Sequence, residues 1–136
     1  MNMKILRGTI FGGIAFFLLG WLIFGILMMD FSMANTNQCA NKPMDEMIWW
    51  AIIAGNLISA FLLTLILNWT RAKVWKDGLQ IGALYGFLYA LSIDLGFWSM
   101  TTMFNNFKAL LVDVAENTIM WALVGLVIVL LWGKDK

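Results

Sequence analysis

The 136-residue sequence has no histidine, one cysteine and one proline, and these scarcities exclude whole classes of chemistry. Without histidine, the chain cannot form a Ser-His or Cys-His nucleophile pair or a zinc site of the usual ligand set. Cys39, as the single cysteine, cannot form a disulfide within the chain. Most hydrolase and metalloenzyme chemistries are therefore excluded. We expect no cofactor and favour a non-enzymatic role, and the sequence leaves the identity of any bound metal open.

Charged residues are also few. They make up 12% of the chain, against 62% apolar residues and a mean hydropathy of +0.82. These values lie far outside the composition of soluble domains and indicate an integral membrane protein. The net charge of +1 and the absence of a basic run argue against a nucleic-acid partner. The first expected partner is therefore the lipid bilayer.

Four long apolar runs divide the chain. They predict transmembrane helices over about residues 8–29, 47–69, 78–103 and 109–132 of a single domain, residues 1–136. Each is long enough to cross a hydrocarbon core of about 30 Å at about 1.5 Å per residue. Residues 30–46 are polar and predict a loop. The third run exceeds a straight crossing, so we expect it to tilt or break at Gly96 and Ser99. The predicted fold class is all-α, a bundle of four transmembrane helices.

The basic residues predict the orientation of the bundle. On the side of the two termini and of residues 70–77 lie Lys4, Arg7, Arg71, Lys73, Lys76, Lys134 and Lys136. Lys42 and Lys108 lie on the other side. Because cytoplasmic segments of membrane proteins carry an excess of Lys and Arg, this distribution predicts that both termini lie in the cytoplasm.

Small residues recur at helical spacing in the first three runs. In the third they occupy positions 78, 82, 86 and 90, and the next position in this series is Asp94. Residues four apart lie on nearly one helix face, and small residues there let membrane helices pack closely. The helix-packing candidates are Gly78, Gly82, Gly86, Ala90, Gly55, Ser59, Gly12 and Gly20. Packing is the favoured interpretation, and lining of a ligand channel is the alternative.

A group of polar residues lies at similar depth in the outer halves of three helices. Asp94, Glu116 and Asn56 are its members on separate helices, and Asp113 and Asn117 share a face with Glu116. They are candidates for one ion or ligand pocket that opens outward. No Lys or Arg lies at that depth, so the carboxylates must share protons, bond polar partners, contact water or bind a cation. For Asp113 and Glu116, a favourable position near a helix N-terminus is the simpler alternative.

Two stretches of the sequence resemble a group of short bacterial inner-membrane proteins classed as a domain of unknown function. They are Gly20-Trp21-Leu22-Ile23-Phe24-Gly25, followed by Asp30, and the run from Gly78-Leu79-Gln80-Ile81-Gly82 to Gly86. The likeness covers most of the chain at the level of four helices and glycine placement. It implies a multi-pass protein of the bacterial inner membrane, with no established activity and no catalytic residues to carry over.

Four functional classes remain open. The leading hypothesis is a structural or accessory subunit, as a homo-oligomer or within a larger membrane complex, because there are more small-residue faces than four helices need. The second is a cation or proton pathway that uses the outward-facing carboxylates. A membrane enzyme acting on a lipid or quinone is less favoured, although acid–base chemistry can use carboxylates alone. A ligand-binding sensor completes the set.

Overall fold

The computed structural model describes residues 3–37 and 44–132, and these ranges are mostly helical. The α-helices are α1 (Met3–Leu22), α2 (Met29–Asn35), α3 (Trp49–Trp69), α4 (Trp75–Met100) and α5 (Phe107–Leu131). A π-helical segment, Ile23–Leu27, continues α1, and a 3-10 turn, Met44–Glu46, precedes α3. Within these ranges no strand forms, and Thr36 and Phe104 make an isolated antiparallel bridge. The all-helical class expected from the sequence is confirmed.

Among residues 3–37 and 44–132, four helical stretches are long and apolar enough to cross a membrane. They are Met3–Leu27, Trp49–Trp69, Trp75–Met100 and Phe107–Leu131. Large apolar side chains such as Trp21, Ile58 and Leu84 are exposed along them, as expected for helices that face lipid. The chain therefore has the architecture of a multi-pass membrane protein.

The structure corrects two expectations about local structure. Residues 30–35, expected in a loop, belong to α2. The third helix was expected to tilt or break at Gly96 and Ser99, and the break does not occur. The helix continues to Met100, and the Ser99 hydroxyl donates to the Gly96 carbonyl at 2.8 Å. A continuous helix keeps its backbone groups paired, which hydrocarbon requires. The irregular turn lies instead in the first span, where the Met28 N–H bonds the Ile23 carbonyl at 2.8 Å.

Some predicted features lie outside the described residues. They are Cys39 and Lys42 of the polar loop, and Lys134 and Lys136 of the charged tail.

Polar side chains define the starts of α4 and α5. Asp77 Oδ2 accepts bonds from the backbone N–H groups of Lys73 at 2.9 Å and Val74 at 3.2 Å. Asn106 Oδ1 accepts a bond from the backbone N–H of Ala109 at 2.8 Å. These bonds satisfy donors at the helix starts. The short connection between α4 and α5 makes the two helices antiparallel neighbours.

The helix α5 is central to the bundle. It packs along α4 and against α1, while α3 packs chiefly on α1, and the consecutive helices α3 and α4 touch little. The main core joins Phe16 of α1, Leu63 of α3, and Trp121 and Ile128 of α5. A second core at the α4–α5 connection contains Phe104 and receives other side chains from α2, α4 and α5. Spatial order therefore differs from chain order.

The other end of the bundle is closed by contacts between its first and last helices. Lys4 Nζ lies 3.1 Å from Asn68 Oδ1 and 4.1 Å from the centroid of the Trp132 ring. Arg7 Nη1 donates to the Trp132 carbonyl at 3.0 Å. The start of α1 and the end of α5 therefore lie at the same end of the bundle.

Candidate functional site

The small-residue stripe of α4 lies against the backbone of α5. Its members Gly78, Gly82, Gly86, Ala90 and Asp94 are all buried. A Cβ added to Gly86 would lie 2.6 Å from Trp121 Cβ and 3.1 Å from the Asn117 carbonyl oxygen. The missing side chains thus allow the two helices to touch closely. Because α5 covers this face, it is not available to a partner protein in this structure.

The other packing candidates have different surroundings. Gly12 lies against Ala60 of α3 and Ile128 of α5. A Cβ added to Gly20 would lie 3.9 Å from the Met120 sulfur, and one added to Gly55 would have no atom within 4 Å. Ser59 is half-buried. Gly12 therefore packs inside the bundle, whereas Gly55 lies on an open face of α3.

Asp94, at the end of the stripe, meets Asp113 of α5. The two carboxyl groups are close enough to interact, and Glu116 is close enough to interact electrostatically with both. Asn117 Nδ2 donates to the Asp113 carbonyl at 2.9 Å and to Asp113 Oδ2 at 3.3 Å. The structure therefore brings together every polar candidate predicted from the sequence except Asn56. We call Asp94, Asp113 and Glu116 the carboxyl cluster.

The carboxyl cluster is buried without a balancing positive charge nearby on its helices. Asp94 is 6% exposed and Glu116 7% exposed, and Asp113 is half-buried. Beyond Lys76 on α4 and Lys108 on α5, neither helix carries another Lys or Arg. Asp94 Oδ2 is buried and has no hydrogen-bond partner among the described residues. Such a group is costly to keep inside a membrane protein, which marks it as functional by default.

The carboxyl cluster brings acidic side chains of α4 and α5 close together. Two carboxyl groups can share a hydrogen bond only when one of them carries a proton. In residues 3–37 and 44–132, no three His, Cys, Asp or Glu side chains are grouped so that they could hold a metal. Carboxyl groups this close take up and release protons as a coupled set.

Asn56 lies apart from the carboxyl cluster, in an apolar groove of about 250 Å³ between α1 and α3. The groove is lined by Gly13, Ile14, Phe17, Leu18, Ile53, Asn56 and Leu57. The rings of Phe17 and Trp49 lie 6.5 Å apart, centroid to centroid. Equal depth along the helices suggested that Asn56 would join the carboxylates, but α3 packs on α1 rather than on α4.

An aromatic group beside the stripe was missed by the sequence analysis. The rings of Tyr85 and Tyr89 stack with centroids 5.6 Å apart, and Trp121 lies 4.8 Å and 5.9 Å from them. Phe16 of α1 meets Trp121 edge-on at 4.7 Å. The four-residue spacing of the two tyrosines is the signal that places them on one helix face.

The end of the bundle nearest the carboxyl cluster is joined to α2. The backbone N–H of Asn105 donates to the Asn35 carbonyl at 2.9 Å, and that of Asn37 donates to the Met103 carbonyl at 2.6 Å. Phe31 of α2 packs against the second core. These contacts hold α2 beside the α4–α5 connection.

Comparison of the chain with protein-family models, with curated proteins and with solved structures finds no match. The geometry of the carboxyl cluster is therefore the basis on which we propose a function.

Proposed function

We propose that the protein binds and releases protons at the carboxyl cluster, as part of a proton pathway in the bacterial inner membrane. The observation that carries this proposal is the Asp94 carboxyl group, which is 6% exposed, close to Asp113, and unpaired at Oδ2 among the described residues. Ionisable groups within membrane-spanning helices are rare and mark proton or ion routes. The glycine stripe supports Asp94 by bringing α4 and α5 into contact.

A proton is favoured over a larger cation. Metal cations in oxygen sites take several ligands at once, and no three suitable side chains are grouped for one among the described residues. A proton needs only two carboxyl groups close enough to share it, as Asp94 and Asp113 are. A cation pathway through the same carboxylates is the alternative hypothesis. Replacing sodium by choline in a flux measurement distinguishes the two.

The orientation that we propose places both termini in the cytoplasm. Lys4 bonds Asn68 at the end of α3, so the basic residues Arg7, Arg71 and Lys73 lie toward one end of the bundle. Cytoplasmic ends of membrane proteins are rich in such residues. The carboxyl cluster then lies toward the periplasmic end.

The experiment is a proton-flux measurement in liposomes that contain the purified protein and a trapped pH-sensitive dye. A potassium gradient with valinomycin supplies the driving force, and replacing sodium by choline tests for another cation. We expect Asp94→Asn to reduce the flux to that of empty liposomes. Asp30→Asn, which removes an exposed acid on α2, is the matched control and should leave the flux unchanged.

Both variants must show the helical circular dichroism and elution volume of the wild type. Equal flux in the wild type and in folded Asp94→Asn would reject the role of Asp94. Flux that requires sodium would replace the proton by a cation.

A second candidate function is that of a structural or accessory subunit that assembles through α3. Gly55 is open on this helix, with no atom within 4 Å of an added Cβ, and Ser59 lies one turn further along. Small residues on an open face let another membrane helix approach closely. The stripe of α4 is not available for such a contact, because α5 covers it.

Native mass spectrometry of the protein extracted from its own membrane tests this second candidate, because it reports partners and copy number together. We expect Gly55→Leu to release any bound partner or second copy. Gly82→Leu is unsuitable for this purpose, because it would disrupt the packing of α4 on α5. An unchanged composition in Gly55→Leu would reject assembly through this face.

A further inference from the structure

We infer that protons reach Asp94 from one end of the bundle only. Asp113 exchanges protons with water, and Asn117 positions Asp113. The contact between the α4 glycines and α5 is a barrier that stops protons from reaching Asp94 from the opposite end of the bundle. This inference rests on the proposed function and specifies the access route of the same site.

Asp113 is placed to connect Asp94 with the end of the bundle. It lies six residues after the start of α5 at Phe107, which is about 9 Å along the helix at about 1.5 Å per residue. It is half-buried, whereas Asp94 is 6% exposed. With both carboxyl groups ionised, Asp113 takes a proton from water and then donates it in a hydrogen bond to Asp94. The proton passes to Asp94 along this bond, and Asp113 becomes the anion again. The pair thereby gains one proton and loses one negative charge.

Asn117 restrains the side chain of Asp113. Its Nδ2 donates both to the Asp113 carbonyl at 2.9 Å and to Asp113 Oδ2 at 3.3 Å. The Asn117 amide, one turn further along α5, thus restrains the Asp113 carboxyl group against its own helix. Asn117 acts through Asp113 and is a positioning residue rather than a proton carrier.

The contact between the α4 glycines and α5, which separates Asp94 from the start of α4, does not let protons pass. An added Cβ on Gly82 would lie 3.0 Å from the Trp121 carbonyl carbon, and one on Gly86 would lie 2.6 Å from Trp121 Cβ. The helices therefore touch here through backbone and an aromatic side chain. Proton transfer needs hydrogen-bonding groups or water in sequence, and this contact has no space for water between the two helices.

The other titratable groups around the cluster are few. They are Glu116 and Lys108 on α5, Tyr85 and Tyr89 on α4, and Asp30 on α2. Helix α3 carries no titratable residue. Lys4 and Arg7 of α1 lie at the opposite end of the bundle. Tyr89 is the group through which a route could continue inward along α4. Its ring stacks on the ring of Tyr85 and contacts that of Trp121 at a tilt. Because the α4–α5 contact blocks proton movement inward from Asp94, we predict that the Tyr89 hydroxyl takes no part in proton transfer.

Access from each side is tested by labelling with dicyclohexylcarbodiimide in right-side-out and inverted membrane vesicles. This hydrophobic reagent adds to a protonated carboxyl group and rearranges to a stable N-acylurea, which peptide mass spectrometry locates. The lumen and the bath are buffered at different pH values during labelling. An impermeant maleimide and Asn105→Cys, in a Cys39→Ser background, report which vesicles expose the α4–α5 connection.

We expect the labelled fraction of Asp94 to follow the bath pH only in vesicles whose bath faces the α4–α5 connection. Tyr89→Phe should behave as the wild type. An equal response in both kinds of vesicle would overturn one-sided access while leaving the proposed function standing. An Asp94 that stays unlabelled at every pH in the folded protein would overturn the proposed function itself, and this inference with it.

The roles of Asp113 and Asn117 are tested by the rate at which the Asp94 carboxyl exchanges hydrogen for deuterium, followed from its infrared C=O band in D2O. Asp113→Asn should slow this exchange about a hundredfold, the lower end of what positioned proton-transfer groups contribute. Asn117→Leu should also slow exchange and shift the pH at half-labelling, and Asn117→Gln should restore part of the rate. Wild-type exchange rates in Asp113→Asn and Asn117→Leu would overturn these roles.

Discussion

Gly82 of α4 lies directly against the backbone carbonyl of Trp121 in α5. A Cβ at this position would also lie 3.2 Å from Ala122 Cα. Both neighbours are helical backbone, which cannot move aside as the end of a flexible side chain can. The distance between α4 and α5 is therefore set by the absence of a side chain at residue 82.

Gly82→Ala is expected to lower the free energy of unfolding by about 1–3 kcal/mol, because one methyl group overpacks a rigid contact. Gly55→Ala is the matched control, since it adds the same group where no atom lies within 4 Å. The control should be neutral or stabilising by up to about 1 kcal/mol, from the reduced backbone freedom of alanine. Thermal unfolding in detergent, followed by circular dichroism, measures both. Equal shifts in the two variants would contradict the close contact.

Asp94→Asn is expected to raise stability while it abolishes proton binding. The substitution keeps the shape of the side chain and removes an ionisable group from the helix contact, a change typically worth about 0.5–2 kcal/mol where a functional group is costly to the fold. The midpoint of thermal unfolding measures it, with the exposed Glu46→Gln as the control. A marked loss of stability in Asp94→Asn would instead make the acid a structural part of the contact.

Lys4→Met is expected to loosen the end of the bundle that holds the start of α1. The variant loses the 3.1 Å bond to Asn68 and the cation that lies 4.1 Å from the Trp132 ring centroid. Together these losses should cost about 1–2 kcal/mol. Thermal unfolding is again the measurement. Lys108→Met, at an exposed position, removes the same charge and should leave the midpoint nearly unchanged, and identical midpoints in both variants would refute the contribution of Lys4.

The proposed orientation predicts which connections face the periplasm. In a Cys39→Ser background, Asn105→Cys should react with an impermeant maleimide in intact cells. Lys73→Cys, exposed at the opposite end, should react only after the membrane is permeabilised. Mass spectrometry or a fluorescent maleimide reports the labelled fraction, and the reverse pattern would invert the orientation.

Helical spacing was sufficient to predict much of the carboxyl cluster. Asp94 follows Ala90 by four residues, which places it on the packed face of α4, and Asn117 follows Asp113 by four on α5. Both relations are local to one helix, and hydrocarbon leaves a helix as the main way to satisfy the backbone. The spans themselves were predictable for the same reason.

The remaining features depend on contacts between distant parts of the chain. Depth in the membrane does not say which helices are neighbours, so the position of Asn56 in the α1–α3 groove was not predictable from its depth. The short helix α2 is held by backbone bonds from Asn105 and to Met103, which its polar sequence does not reveal. The π-helical segment Ile23–Leu27 has the same apolar composition as the helix before it.

The central position of α5 has a consequence for how the protein is made. Of the four spans, α5 leaves the ribosome last, yet it supplies Asp113 and the backbone on which the α4 glycines pack. Membrane helices insert individually before they associate. Asp94 therefore enters the bilayer before Asp113 has been synthesised. Until α5 has been translated, lipids or insertion factors must contact the α4 surface that α5 later covers.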